Sequence, residues 1–261
     1  MNKKSIFVFI LVISFITLIF SGCSNKKVDV LEKVKKSGKI IMGTNADFPP
    51  YEFHKIENGK DTIEGFDIDI ANAIAKKLGV KLEIKDMDFK GLIPALQSGR
   101  IDMAIAGMTP TADREKNVDF SELYYNSQQV LVVNDNSEIL NLKDLNGKTV
   151  AVQIGTTSAE AAKNISGAVL KQLNRVGDEF MDLKNNRVDG IVLEDTVAKA
   201  YLKEYPNMKM LNFKELNTED NGAAVAVAKG NKELVNKINE VINEMKSDGE
   251  YEKLIEKWFK Q

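Results

Sequence analysis

Cysteine and histidine are almost missing: the 261-residue chain holds one of each, Cys23 and His54. One cysteine cannot close an intrachain disulfide, and one histidine excludes multi-histidine metal sites and leaves little for histidine-based acid–base chemistry. A surplus of positive charge is missing too. Lys plus Arg is 36 against Asp plus Glu 38, a net charge of −2, so the chain lacks the basic excess that phosphate backbones demand and nucleic acid is not an expected partner. The N-terminal apolar run, Ile6 to Phe20, spans about 22 Å as a helix, short of the ~30 Å hydrocarbon core of a bilayer. There is no G-x-G-x-x-G, no P-loop, no internal repeat and no low-complexity tract.

What is present describes a folded protein. Hydrophobic residues make up 43% and charged residues 28%, which excludes collagenous and broadly disordered chains. The length suits one large domain or two modest ones, and two lobes are the better expectation because single cores stop growing near ~250 residues.

The N-terminus reads as an address. Lys3 and Lys4, the short apolar run, and the small residues Ser21 and Gly22 describe a secretory signal. Phe20-Ser21-Gly22-Cys23 resembles a bacterial lipobox, although Phe20 stands where leucine is usual. That resemblance implies a signal peptide over 1–22, acylation of Cys23, a polar tether over 23–28, and an extracytoplasmic protein held to the cell membrane by lipid.

Beyond the tether, short apolar runs alternate with helical periodicities. Strands are expected at 39–42, 81–84, 103–106, 130–133, 149–152, 191–193, 208–211 and 224–227. Helices are expected where Phe66, Ile70, Ile74 and Leu78 share a face, and at 91–97, 158–164, 179–185, 196–204 and 232–247. This alternation predicts an α/β fold with largely parallel sheets, whose ligands bind in loops at strand C-terminal ends. Pro49-Pro50 reads as an extended loop after the first strand.

The residues in those loops share a chemical theme. Phe48, Tyr51 and Phe89 offer aromatic faces, Thr109, Thr156 and Thr157 offer hydroxyls and amides, Arg114 is a fork-shaped cation and Asp195 a carboxylate. An α-amino acid zwitterion needs this set: a bidentate arginine and backbone N–H groups for its carboxylate, and an anion with neutral acceptors for its ammonium. Plainer roles fit the same residues. Arg114 can be a solvated charge in a helical first turn, Asp195 a helix cap, Phe48 and Phe89 core, and His54 a surface loop residue.

Longer stretches carry a resemblance. They are residues 43–53 (GTNADFPPYEF), 65–71 (GFDIDIA), 87–96 (MDFKGLIPAL), 119–121 (DFS), 155–158 (GTTS), 186–190 (NRVDG) and 248–259 (DGEYEKLIEKWF). Together they are similar to the polar amino acid solute-binding proteins of ABC importers, family 3, over roughly residues 35 to 260, with glutamine- and histidine-binding members nearest. The resemblance implies a two-lobed periplasmic-binding-protein type II fold with two hinge crossings. Lobe 1 would comprise 29–125 plus 223–261 and lobe 2 would comprise 129–219, with crossings at 124–128 and 219–224. It implies a monomer that needs no cofactor or metal, captures a polar L-amino acid between its lobes, and delivers it to permease and ATPase subunits.

Position by position, Arg114 matches the family's arginine for the ligand carboxylate and Asp195 its aspartate for the α-ammonium, the two facing each other across the cleft. Thr109 matches a hydroxyl and amide contact, Ala106 and Gly107 a strand end presenting a carbonyl, and Thr157 a backbone donor from lobe 2. Phe48 and Phe89 match the aromatic walls. Asn45, Gln153 and Glu194 depart from the family pattern in the side-chain pocket. Asn45 and Gln153, two uncharged amides, tilt the expectation toward a neutral polar ligand, while Glu194, Glu52 or Asp47 would favour arginine or lysine. Two other functions share the scaffold or the anchor. One is a cyclohexadienyl-dehydratase-like enzyme with Glu194 or Glu52 as general acid, and the other a tethered sensor or adhesin without transport.

Overall fold

The computed structural model describes residues 29–217 and 222–260. The signal segment, Cys23, the tether, residues 218–221 of the second crossing and Gln261 lie outside the described residues.

The chain begins with α1 (Val30–Ser37), β1 (Lys39–Thr44), β2 (Asp47–Phe48), β3 (Glu52–Glu57) and β4 (Lys60–Glu64). Next come α2 (Phe66–Leu78), β5 (Lys81–Asp86), α3 (Leu92–Gln97), β6 (Met103–Ala104), α4 (Ala112–Glu115) and β7 (Val118–Phe120). The middle of the chain supplies β8 (Gln129–Asn134), β9 (Thr149–Gln153), α5 (Thr157–Lys163), β10 (Val169–Leu173), α6 (Val176–Lys184), β11 (Gly190–Glu194), α7 (Asp195–Leu202) and β12 (Met208–Leu211). β13 (Ala226–Ala228), α8 (Lys232–Asp248) and α9 (Glu250–Phe259) end it.

The strands form two five-stranded sheets, β5-β1-β6-β13-β7 and β10-β9-β11-β8-β12, plus a small β2-β3-β4 sheet. Strand 13 comes from the far end of the chain, so the first sheet is built from both ends and the second from the middle. Each sheet is covered on both faces, as its alternating apolar residues require. In the first, Ile40, Met42, Met103 and Val227 pack with Ile70, Ile74, Leu234 and Ile238 of α2 and α8, while Ala104 and Ala226 meet Leu92 and Leu96 of α3. In the second, Val132, Ala151 and Ile191 lie under α6 and α7, and Leu131, Val150, Val152 and Val192 under α5.

The expectation of largely parallel sheets is corrected. β1 runs parallel to β5 and β6, and β9 to β10 and β11, but β13 and β8 are antiparallel to both of their neighbours. Those two strands follow the crossings between sheets, and each enters against the direction of its neighbours. The crossings themselves pair at an antiparallel bridge between Tyr125 and Ala223. The β2-β3-β4 sheet, β7, β10, α1, α4 and α9 are additions to the elements expected. Pro49 and Pro50 lie in a turn, joined by a cis peptide bond, with Tyr51 N–H donating to the Phe48 carbonyl at 2.9 Å. His54 is exposed but belongs to β3, 3.0 Å from Asp61.

Candidate ligand-binding site

The C-terminal ends of β1, β6, β9 and β11 point into a cleft between the two large sheets, where open α/β sheets place ligands. A small, partly enclosed pocket lies there. The first sheet and its loops supply Asn45, Phe48, Glu52, Phe89, Ala106, Gly107, Thr109 and Arg114, and the second supplies Gln153, Thr156, Thr157, Ser158 and Glu194.

Local structure explains the placement. α2 starts at Gly65, where a φ of 141° and the adjoining Tyr51 carbonyl leave no room for a Cβ. That start buries Asp67, which accepts from Gly107 N–H and from the Tyr124 hydroxyl, both at 2.9 Å, and so holds the β6 strand end against the pocket. Gly107 has φ 54°, and a Cβ there would lie 3.0 Å from the Phe48 ring. Phe48 stacks on Tyr51 at 5.6 Å, and Tyr51 meets Tyr125 of the crossing and Phe259 of α9 edge-on. The C-terminal helix therefore braces the pocket loop and the crossing together.

Arg114 is half-buried in α4, whose first turn Thr111 caps. Its guanidinium lies over the Phe89 ring at 5.2 Å and donates to the Thr109 carbonyl at 2.7 Å and, across the cleft, to the Gly155 carbonyl at 2.9 Å. Burial pulls its pKa down to about 10, against the opposing pull of Glu194 and Glu160.

Ten of the eleven ligand residues read from sequence line this pocket; Asp195 does not. Its carboxylate accepts from Lys199 at 2.6 Å and from Gln128 N–H at 3.2 Å, so Arg114 faces the Gly155 carbonyl instead of Asp195. The neighbour, Glu194, is the side chain turned inward: it is buried and accepts from the Tyr51 hydroxyl at 3.2 Å. Asn45 and Gln153 reach the pocket and bond each other. Gln153 donates to the Asn45 amide oxygen at 2.7 Å and to the Asn174 carbonyl at 3.0 Å, and Asn45 donates to the Met87 carbonyl at 3.1 Å. Those bonds leave an N–H of Asn45 and the amide oxygen of Gln153 for a side chain, so the tilt toward a neutral ligand rests on one donor and one acceptor.

Glu52 is one of three lining residues that the ligand set omitted. It is fully buried at the start of β3, neither oxygen meets a backbone N–H or a hydroxyl, and its carboxyl hydrogen-bonds that of Asp67. Burial, then repulsion from Asp67, pushes its pKa well above the usual carboxylate range. Alternation gave no signal, because Glu52 and His54 share a face of β3 and only Glu52, at the start of the strand, is buried. Thr156 and Ser158 also line the pocket, Ser158 donating to Gln129 at 2.6 Å.

Further contacts join the lobes beside the pocket. Arg175 pairs with Asp86 at 2.9 Å, and Asp47 accepts the first N–H of α6, from Val176, at 2.6 Å, while its carbonyl accepts from the Tyr201 hydroxyl at 3.0 Å. Among the described residues, no group of three or more His, Cys, Asp or Glu is arranged to hold a metal ion. No described helix is long and apolar enough to cross a membrane.

The model of the bacterial extracellular solute-binding proteins, family 3, matches residues 40–261. The chain belongs to that family. It is 40% identical over 253 residues to the arginine-binding extracellular protein ArtP of Bacillus subtilis, covering 96% of each. A crystal structure of the substrate-binding protein of an amino acid ABC transporter is 71% identical, with TM-score 0.84, covering 85% of this chain and all of that one. An L-arginine-bound amino acid ABC transporter substrate-binding protein, AbpA of Streptococcus pneumoniae, is 37% identical with TM-score 0.83, covering 88% of this chain and 98% of that one. The family membership and the fold make this chain a two-lobed extracytoplasmic protein that binds a polar amino acid for an ABC importer.

Proposed function

We propose that the protein captures an L-amino acid with a cationic side chain, arginine being the best match, and presents it to its importer. The observation that carries this reading is the acidic wall: Glu52 and Glu194 line the pocket together, and both oxygens of Glu52 lack a backbone N–H or hydroxyl donor. A guanidinium is the group that satisfies such a wall, because its planar fork supplies several N–H donors and a positive charge to neighbouring carboxylates. The names of ArtP and AbpA's bound ligand support the same choice.

In this reading Arg114 holds the ligand carboxylate with the N–H groups it does not spend on Thr109 and Gly155, aided by Thr109 and by the backbone N–H of Thr157. Phe48 and Phe89 flank the aliphatic stem, and the Ala106–Gly107 strand end offers a carbonyl to the α-ammonium. Asp195 joins it by exchanging Lys199 for the ligand's ammonium, one cation for another. Residues 29–125 with 223–261 act as one lobe and 129–219 as the other, closing over the ligand. The protein works as a monomer, tethered by an acylated Cys23, and performs no chemistry on its ligand. Calorimetric titration with arginine, lysine, glutamine and cystine tests the reading, which requires arginine or lysine to bind tightest.

A further inference from the structure

Glu52, Asp67 and Glu194 come from three elements, β3, α2 and β11, yet all three side chains are buried, at 0%, 0% and 4% exposure. Few donors reach them. Gly107 N–H and the Tyr124 hydroxyl both go to one oxygen of Asp67, and the Tyr51 and Ser127 hydroxyls serve Glu194. The other Asp67 oxygen and both Glu52 oxygens meet no backbone N–H or hydroxyl, and the Glu52 carboxyl hydrogen-bonds that of Asp67. The charged and titratable groups facing them are mostly acidic as well: Asp47 of β2 acts on Glu52, Asp195 of α7 acts on Glu194, and the phenols of Tyr51, Tyr124 and Tyr125 surround the cluster. Arg114 is the cation whose charge couples to Glu194, and it is already engaged with the Thr109 and Gly155 carbonyls.

Three carboxylates in one dry region cannot all ionise. Burial is the first cause for all three, and repulsion between carboxylates adds to it at Glu52 and Glu194: Glu52 rises well above its usual range and Glu194 to about 7, while Asp67, which burial raises and hydrogen bonds from Gly107, Glu52 and Tyr124 hold back, reaches about 6. The protons belong to the cluster as a unit, which carries at least one at neutral pH.

We propose that the pocket exchanges a proton for the ligand's side-chain charge. A cationic side chain enters as the Glu52–Asp67–Glu194 cluster gives up a proton to solvent, whereas a neutral urea or amide side chain enters with that proton kept as a donor to its carbonyl oxygen. In the first case a carboxyl O–H bond breaks, its electron pair stays on the carboxylate that faces the cation, and the proton passes to buffer; no bond to the ligand is made. In the second, the O–H stays intact and donates. One pocket thus serves two ligand classes with different pH dependence, and the inference rests on the cationic reading of the site.

Arginine and citrulline, nearly isosteric and differing in side-chain charge, are the probes. Calorimetric titration of the purified protein in two buffers of different ionisation enthalpy, at pH 5.5, 7 and 8, reads both proton release and affinity. Arginine should release a proton near pH 7 and weaken on acidification by up to about tenfold per pH unit, the limit for one linked proton. Citrulline should release none, so the preference for arginine should narrow at pH 5.5. Glu52→Gln should reduce the release; the wild-type proton count stands without that variant. Arginine binding with no proton release, or with a pH profile parallel to that of citrulline, overturns the inference and leaves the cationic reading intact. Failure of arginine to bind at any pH overturns both.

Discussion

Gln153, the last residue of β9, donates its amide N–H to the amide oxygen of Asn45 at the end of β1, a 2.7 Å hydrogen bond that joins the two sheets across the cleft. Both residues are buried, and the Met87 and Asn174 carbonyls use further amide hydrogens. The pair ties the two lobes together at the pocket's edge.

Replacing Gln153 with methionine, which keeps much of the volume and removes the amide, should therefore weaken every ligand alike. A net loss of about 1 kcal/mol is expected for a neutral hydrogen bond, roughly fivefold in Kd. Titration of Gln153→Met with arginine and glutamine checks it; a selective loss of glutamine would make Gln153 a ligand contact.

Arg114→Ala should abolish measurable binding while the circular dichroism spectrum stays unchanged. The guanidinium makes contacts in both lobes and is assigned the ligand carboxylate, so truncation should cost about 3 kcal/mol or more, typical of removing one member of a desolvated charge pair. A variant that binds within threefold of wild type contradicts the assignment.

Acid should stabilise this protein over part of its range. Asp47 and Asp67 are raised to about 6 and Glu194 to about 7, chiefly by burial, from 3.8 and 4.5. Between those values the folded state holds protons that the unfolded chain has released, so unfolding free energy falls as pH rises through the window. His54, raised by Asp61, acts in the same direction: its contribution is complete below the unfolded value of 6.5 and is lost as pH rises through the folded one. Scanning calorimetry at constant ionic strength should give a higher Tm at pH 5.5 than at 7.5, by ~2–4 °C for each kcal/mol regained. A Tm that is flat or rises with pH contradicts the burial of these acids.

Cys23→Ala should move the protein from the membrane fraction to the medium or periplasm, because the acyl chains assigned to that residue supply the anchor. Retention in the membrane fraction contradicts acylation as the tether.

Much of the site was legible because its chemistry sits where strands end. Arg114, Phe48, Phe89 and the Gly107–Thr109 turn follow apolar runs, and a zwitterion's needs pick them out. What a linear sequence hides is how side chains are spent. Asn45 and Gln153 looked like selectors because nothing local shows that each is bonded to the other, and Asp195 looked available although Lys199, one helical turn on, holds it. Glu52 stood out as an acid near the pocket loops but not as a lining residue, because it belongs to a short sheet whose β4 strand is largely exposed. The fold shows the same limit: Val169–Leu173 mixes Lys and Gln into a half-exposed edge strand, β10, and α9 is amphipathic but has no fully buried residue to mark it. The antiparallel entry of β8 and β13 follows from where the chain crosses between sheets, a tertiary fact with no local signature.

The measurement that tests the central claim most directly is competition calorimetry of the purified protein at pH 7.5 with arginine, lysine, glutamine and cystine. In a pocket walled by Glu52 and Glu194 a cationic side chain gains charge-assisted contacts that a neutral one, met by a protonated carboxyl, does not make, a difference expected to reach at least about 1.4 kcal/mol, a factor of ten. The account predicts that arginine or lysine binds at least tenfold tighter than glutamine and cystine. Equal or tighter binding of glutamine or cystine would contradict it.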